Sequence, residues 1–157
     1  MNREHQRLME HLKGVRKVVI NNCHGGFGLS HEAICAYLDK CGTPYWVESN
    51  KLFSKITPYT YYLVPPEERI EGTPDNWHAM SLQERAAHNA AYSKTVFTDR
   101  DLARDDPYLV AVVEELGEAA NGRFAELKVI EMPADVNWDI EEYDGSEWVA
   151  ERHRTWR

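Results

Sequence analysis

Lys17-Val18-Val19-Ile20-Asn21, followed closely by Cys23-His24-Gly25-Gly26-Phe27-Gly28-Leu29-Ser30, is the stretch on which the fold turns. The first run is β-branched and continuously apolar rather than alternating, which predicts a short strand buried on both faces. Three glycines then allow a tight turn with close backbone approach. Ser30 is a good N-cap for a helix over about residues 31 to 41, with Ile34, Tyr37, Leu38 and Cys41 on one face and Gly42 and Pro44 as stop signals. Tyr45-Trp46-Val47 reads as the next strand. Strand, turn, helix and strand in that order form a βαβ-like unit, with a right-handed crossover if the two strands are parallel.

Outward from this unit, residues 2 to 13 are expected to form an amphipathic covering helix, with Leu8, Met9 and Leu12 at helical spacing before Gly14. Residues 49 to about 80 contain Pro58, Pro65, Pro66 and Pro74 and read as an irregular aromatic insertion, with an edge strand over Tyr59 to Val64. Such an insertion suits a lid, a binding loop or an oligomer contact. Ser81-Leu82-Gln83-Glu84 matches a capping box and starts a helix to about residue 94, whose apolar face is mostly alanine and attaches loosely. Asp105-Asp106-Pro107 is a strong helix start, and Asn121-Gly122 is the expected stop. Phe124 to Met132 reads as a strand. The chain then closes on a hairpin, Val136 to Tyr143 and Ser146 to Thr155, about a turn at Asp144-Gly145.

These elements predict an α/β fold, with α+β as its variant: a small mixed β-sheet with a βαβ-like N-terminal unit, covering helices and a C-terminal β-hairpin. A chain of 157 residues fits a single domain over 1–157 that can bury a core without disulfides or a structural metal. Apolar content of 43% and charged content of 28% are globular values despite a net charge of -8. The excess of 26 acidic over 18 basic residues argues against broad binding to nucleic acid or anionic membrane, while leaving room for a local basic pocket. The N-terminus lacks the apolar core of a secretory signal and no run is long enough to span a bilayer, so a cytoplasmic location is expected. Cys23, Cys35 and Cys41 are odd in number without a C-x-x-C pair, as expected of reduced thiols.

The chemistry centres on the glycine turn. Gly25, Gly26 and Gly28 permit positive φ, and the N–H groups near Leu29 and Ser30 lie at the positive end of the following helix, where an anion would be stabilised. The spacing is neither G-x-G-x-x-G nor a P-loop, and a turn that needs small residues for packing is the plain alternative. Phe27 is either a stacking platform for a base or a plug into the core. Arg100 and Arg104, set among Asp99, Asp101, Asp105 and Asp106, would clamp an anion if their loop lies beside the turn. Otherwise they form a local Arg-Asp network. Cys23 and His24 supply a thiol and an imidazole, but neighbours on an extended chain point to opposite sides. The histidines show no H-x-x-x-H spacing, so no metal, no cofactor and no catalytic set is expected. In the hairpin, a two-residue turn pairs Ile140 with Val149, Trp138 with Glu151 and Val136 with His153. Glu151 and His153 then either form the polar floor of a pocket or lie on a wet sheet edge. Trp148, Arg152, Arg154 and Trp156 interleave on the opposite face, which suits base stacking, a solvated strand or a subunit contact.

The segments CHGGFGLS (23–30), RDDPYLVAVVEELG (104–117), LKVIEMP (127–133) and EEYDGSEWVAERHRTW (141–156) resemble, in order and over most of the chain, a family of small proteins of tailed bacteriophages and metagenomic genomes. The resemblance implies a phage setting in the host cytoplasm and supplies no catalytic residue. Three functions are open at this point. The first is a binding protein holding a small anionic, nucleotide-like ligand at Cys23 to Ser30 with Arg100 and Arg104, in the service of countering host defence. The second is an inhibitor or adaptor that docks a host protein through acidic and aromatic surface, where an acid-rich chain could also mimic nucleic acid. The third is a small nucleotide-processing enzyme using Cys23, His24 or Glu151. Exposed tryptophans and short edge strands also point to a homo-oligomer.

Overall fold

A computed structural model describes residues 14–50 and 58–157; the helix expected over residues 2 to 13 lies outside the described residues. The described chain is α/β, with three helices and six strands paired in small antiparallel sheets. It divides into two compact units, Met1–Tyr37 with Asp99–Arg157, and Leu38–Thr98.

In the first unit the buried run becomes β1 (Val15–Asn21), with Val18, Val19 and Asn21 at 0% exposure. Helix α1 (His31–Cys41) follows, and its first turn is closed by Ser30, whose Oγ accepts from Ala33 N at 3.1 Å. Ser30 caps it as read. Ala33, Ile34 and Tyr37 of α1 are buried. The strand–helix–strand order is present, but the partners differ from a parallel unit. β1 pairs antiparallel with a strand more than a hundred residues on, β4 (Leu127–Pro133), in the register Val18↔Ile130 and Ile20↔Lys128. The continuous apolar run marks burial on both faces, and a two-stranded ribbon with helices and side chains packed around it satisfies that as well as a central parallel strand does.

Helix α3 (Pro107–Leu116) starts as expected: Asp106 Oδ1 accepts from Tyr108 N at 2.8 Å and Leu109 N at 3.3 Å, and its Oδ2 accepts from Tyr37 OH at 2.8 Å. Leu109, Val110, Val112 and Val113 are its buried residues. The helix ends at Gly117, with φ of 57°, rather than at Asn121-Gly122. A 3-10 turn over Gly117–Ala120 carries the chain on, so the expected stop lies beyond the true one. Strand β4 likewise starts at Leu127 instead of Phe124, because residues 122 to 126 run against the glycine turn. The hairpin is β5 (Trp138–Tyr143) and β6 (Ser146–Glu151), with Trp138↔Glu151 and Ile140↔Val149 in the expected register and Asp144 and Gly145 at positive φ in the turn. Its strands stop before the expected Val136–His153 pair.

In the second unit β2 (Trp46–Ser49) and β3 (Tyr59–Tyr62) pair antiparallel, so the stretch from residue 49 is more regular than its prolines imply. Tyr61 is buried, and Arg69 stacks on the Tyr62 ring at 3.9 Å while pairing with Glu48 at 2.7 Å. Helix α2 (Leu82–Ser93) carries the full capping box between Ser81 and Glu84 and buries no residue, as its alanine-rich face foretold. Burial, and then Tyr62, push the Tyr92 phenol above its ordinary value.

Candidate functional site

The glycine turn and the Arg100 to Asp106 loop lie side by side, but the chain itself fills the place reserved for a ligand. Leu29 N donates to Asp99 Oδ2 at 2.8 Å, and Ser30 N donates to Ala120 O at 3.0 Å. Two N–H groups counted on to hold an anion therefore already have partners, one of them a carboxylate. Arg104 is bidentate to Glu147, Nη1 to Oε1 at 2.7 Å and Nη2 to Oε2 at 2.9 Å, with side chains only 17% and 11% exposed. Its guanidinium carbon stands 3.5 Å from the centre of the Phe27 ring, so Phe27 is a lid on this ion pair. The partner of Arg104 is neither a ligand nor one of the neighbouring aspartates.

The pair explains how β1 is closed on the edge away from β4. Val19 N donates to Arg104 O at 2.8 Å, Val19 O accepts from Arg104 Nη1 at 3.3 Å, and Asn21 N donates to Glu147 Oε1 at 2.7 Å. Buried backbone groups must be paired, and here a loop arginine and a hairpin glutamate stand where a third strand would. Asn21 completes the cluster. Its Nδ2 donates to Cys23 O and Gly145 O at 2.7 and 2.8 Å, while its Oδ1 accepts from Glu126 N at 2.8 Å. One buried amide thus fastens the glycine turn, the approach to β4 and the hairpin turn together.

The glycines are explained by the same crossing. A Cβ on Gly25 would stand 1.8 Å from Phe124 O, one on Gly122 2.6 Å from Gly28 C, and one on Gly145 2.9 Å from both Gly26 N and His24 O. Gly26 needs its φ of 104° but has open space beside it. Close backbone approach is therefore the main demand on this turn.

Cys23 Sγ donates to Asn21 Oδ1 at 3.3 Å and Phe124 O at 3.2 Å, and His24 is exposed, so no hydrogen bond joins thiol and imidazole. No cluster of three or more His, Cys, Asp or Glu that could hold a metal occurs among the described residues. Glu151 and His153 are both exposed, so the polar floor does not form and the sheet edge is wet. Glu147 is the carboxylate on the apolar face that matters. The parity argument that singles out Glu151 applies equally to Glu147, which shares the face of Ile140 and Val149. Asn21, a polar residue at the end of a buried strand, carried a second such signal. A shallow groove of about 380 Å³ lies elsewhere in this unit, lined by Arg16, Lys17, Asp105, Pro107, Val110 and Glu114. Lys17 donates to Glu114 at 2.7 Å across it, a contact that holds the lysine above its usual pKa.

The other feature of this unit is the outer face of the hairpin. Asp139, Glu141 and Tyr143 on β5 lie across from Ala150, Trp148 and Ser146 on β6. Tyr143 is 73% and Trp148 43% exposed. Trp148 Nε1 donates to Glu141 Oε2 at 3.0 Å, and Arg152 Nε donates to Asp139 Oδ2 at 2.7 Å. That pairing holds the Asp139 carboxyl below the ordinary range and Arg152 above its own. From Trp138 to Glu151 the hairpin carries Asp139, Glu141, Glu142, Asp144, Glu147 and Glu151 and no base.

No family model, curated protein or solved structure matches this chain. No helix among the described residues is long and apolar enough to cross a membrane.

Proposed function

We propose that this is a non-catalytic docking protein, an inhibitor or adaptor that seats the outer face of its C-terminal hairpin on a basic surface of a partner protein. The observation that carries this reading is the hairpin itself: an acid-only strand pair with Tyr143 and Trp148 exposed on its outer face. Aromatic side chains supply binding energy at a desolvated centre, while surrounding charge sets partner choice and encounter rate. The Glu141 carboxylate beside the Trp148 ring and Asp144 at the turn set acid next to flat aromatic surface, so a partner with a basic, aromatic-accepting surface, such as a nucleic-acid-handling host protein, is the class it fits. The resemblance to tailed-phage proteins supports such a target in the host cytoplasm. The reading that an anionic, nucleotide-like ligand sits at Cys23 to Ser30 has less support, since an incoming phosphate would meet Asp99 at Leu29 N and find Arg104 already paired.

The experiment is biolayer interferometry against an immobilised lysine-rich peptide that includes tryptophan, together with a thermal-shift panel of nucleotides. Saturable binding that falls at least tenfold on Trp148→Ser and on Glu141→Lys, with no nucleotide shift, is the expected result. Binding indifferent to both substitutions sinks the docking reading. A nucleotide shift lost on Phe27→Ala would return the glycine turn to the ligand role.

A further inference from the structure

We infer that the outer face of the hairpin is covered, in solution, by the basic aromatic segment 152–157 of a second copy of this chain. This rests on the reading of that face as a docking surface and names its resident occupant. Residues 152 to 157 reverse the character of the hairpin they follow: Arg152, His153, Arg154, Trp156 and Arg157 are present and no acid. Arg152 is held to Asp139, and Arg152 N donates to Asn137 O at 2.8 Å, the last bond tying this strand to its neighbour. Beyond it every residue is exposed, Trp156 at 86%, and among the described residues Arg154 and Arg157 make no hydrogen bond or ion pair.

Geometry separates the two ends. Glu141, Glu142 and Asp144 stand at the hairpin turn, whereas Trp156 lies ten residues along the chain from Ser146, about 34 Å away if the strand direction continues. The segment does not fold back onto its own hairpin. Two copies related by a two-fold axis, with hairpins antiparallel, bring the Arg154 to Arg157 segment of each onto the turn end of the other, so both contacts form at once. Trp156 of one copy then packs beside Tyr143 and Trp148 of its partner. Aromatic side chains of this size bury about 150–250 Å² each. Three per copy, with Trp148 already more than half covered, come to less than the roughly 800 Å² per side of a standard interface, so the dimer should be weak and salt-sensitive. The segment stands in for a basic partner, which must displace it.

Sedimentation velocity across a hundredfold concentration range tests this. The wild-type chain should pass from 18.2 kDa to twice that mass, and the transition should move to higher concentration at high salt. Arg154→Glu with Arg157→Glu, and separately Glu141→Lys on the outer face, should each remain monomeric. An equimolar mixture of the two variants should recover the dimer, because one of its two contact sets is wild-type and the other carries both reversed charges. Deleting residues 153–157 touches no buried group and keeps the Arg152 pair; it should give a monomer that binds the lysine-rich peptide several-fold more tightly. A wild-type monomer at every concentration, or a dimer unchanged by both charge reversals, overturns the inference. In the first case, peptide binding that still depends on Trp148 leaves the docking reading standing. Conversely, a dimer that behaves as stated in a chain blind to the peptide would keep the self-contact and remove that reading.

Discussion

The glycine turn and the outer face of the hairpin are built from the same kinds of residue and treat them in opposite ways. At the turn an aromatic ring, an arginine, carboxylates and backbone N–H groups are used against one another: Phe27 covers Arg104, Arg104 holds Glu147, and Asp99 holds Leu29 N. On the hairpin face Tyr143 and Trp148 remain exposed among carboxylates, and the ion pair present, Asp139 with Arg152, is itself exposed. A motif that reads as a binding site can be a fastening, and a strand pair that reads as plain surface can be the better candidate for contact. What distinguishes them is whether the polar groups are satisfied inside the unit.

The comparison breaks most sharply at the glycines. Gly25→Ala places a methyl 1.8 Å from a backbone carbonyl oxygen that no side-chain rotation can move, so the variant is expected not to fold, and circular dichroism should show no cooperative transition. Gly26→Ala, with φ of 104° and no atom within 4 Å, should fold and lose about 1–3 kcal/mol through backbone strain. If Gly25→Ala folds well, the turn is not the crossing point described here. Smaller than the effect at Gly25 but larger than that at Gly26, Arg104→Met leaves Glu147 without its counter-ion and takes away a bond to Val19 O; about 3–5 kcal/mol of stability should be lost by urea denaturation. The double variant Arg104→Met with Glu147→Met should be less damaging than the sum of the singles, because no lone charge remains.

How far the sequence could be read follows from the same physics. Caps were legible because they are local: Ser30, the Ser81 and Glu84 box and Asp106 all act within a few residues of themselves. The hairpin register was legible because Asp144-Gly145 sets it by counting. Strand partnership was not, since a run such as Val18-Val19-Ile20 declares burial without saying what buries it, and β4 lies more than a hundred residues away. The candidate site was legible in its location and not in its state. That the Arg100 to Asp106 loop meets the glycine turn was one of two alternatives left open; that Glu147, forty-three residues from Arg104, would already occupy its fork depended on a pairing that only the tertiary fold creates. Gly117 escaped because the chain after it resumes a helical turn, and an apolar pattern cannot tell a 3-10 continuation from the helix itself.

The hairpin face gives the next smaller effect on stability and the largest on contact. Tyr143→Ser should leave the unfolding free energy from urea denaturation within about 0.5 kcal/mol of wild type, as exposed substitutions do, and Trp148→Ser, whose ring is partly covered, should cost somewhat more, yet each should weaken peptide binding at least tenfold. A large loss of stability from either would mean that these rings belong to the core after all.

The smallest effect is expected from the Asp139 and Arg152 pair, and it is confined to acid. Arg152 holds the Asp139 carboxyl below its ordinary value. A depressed folded-state pKa gives stability that is present above the unfolded carboxylate value of about 4 and is lost as pH falls through the folded one. Asp139→Asn should therefore match wild type in its denaturation midpoint below that window and fall slightly short of it at neutral pH. Since both side chains are more than half exposed or close to it, added salt should erase most of the difference. The Arg104 and Glu147 pair, mostly buried, should resist the same salt. Equal salt sensitivity of the two pairs would mean that water reaches both alike, and the contrast between a spent site and an open face would lose its physical basis.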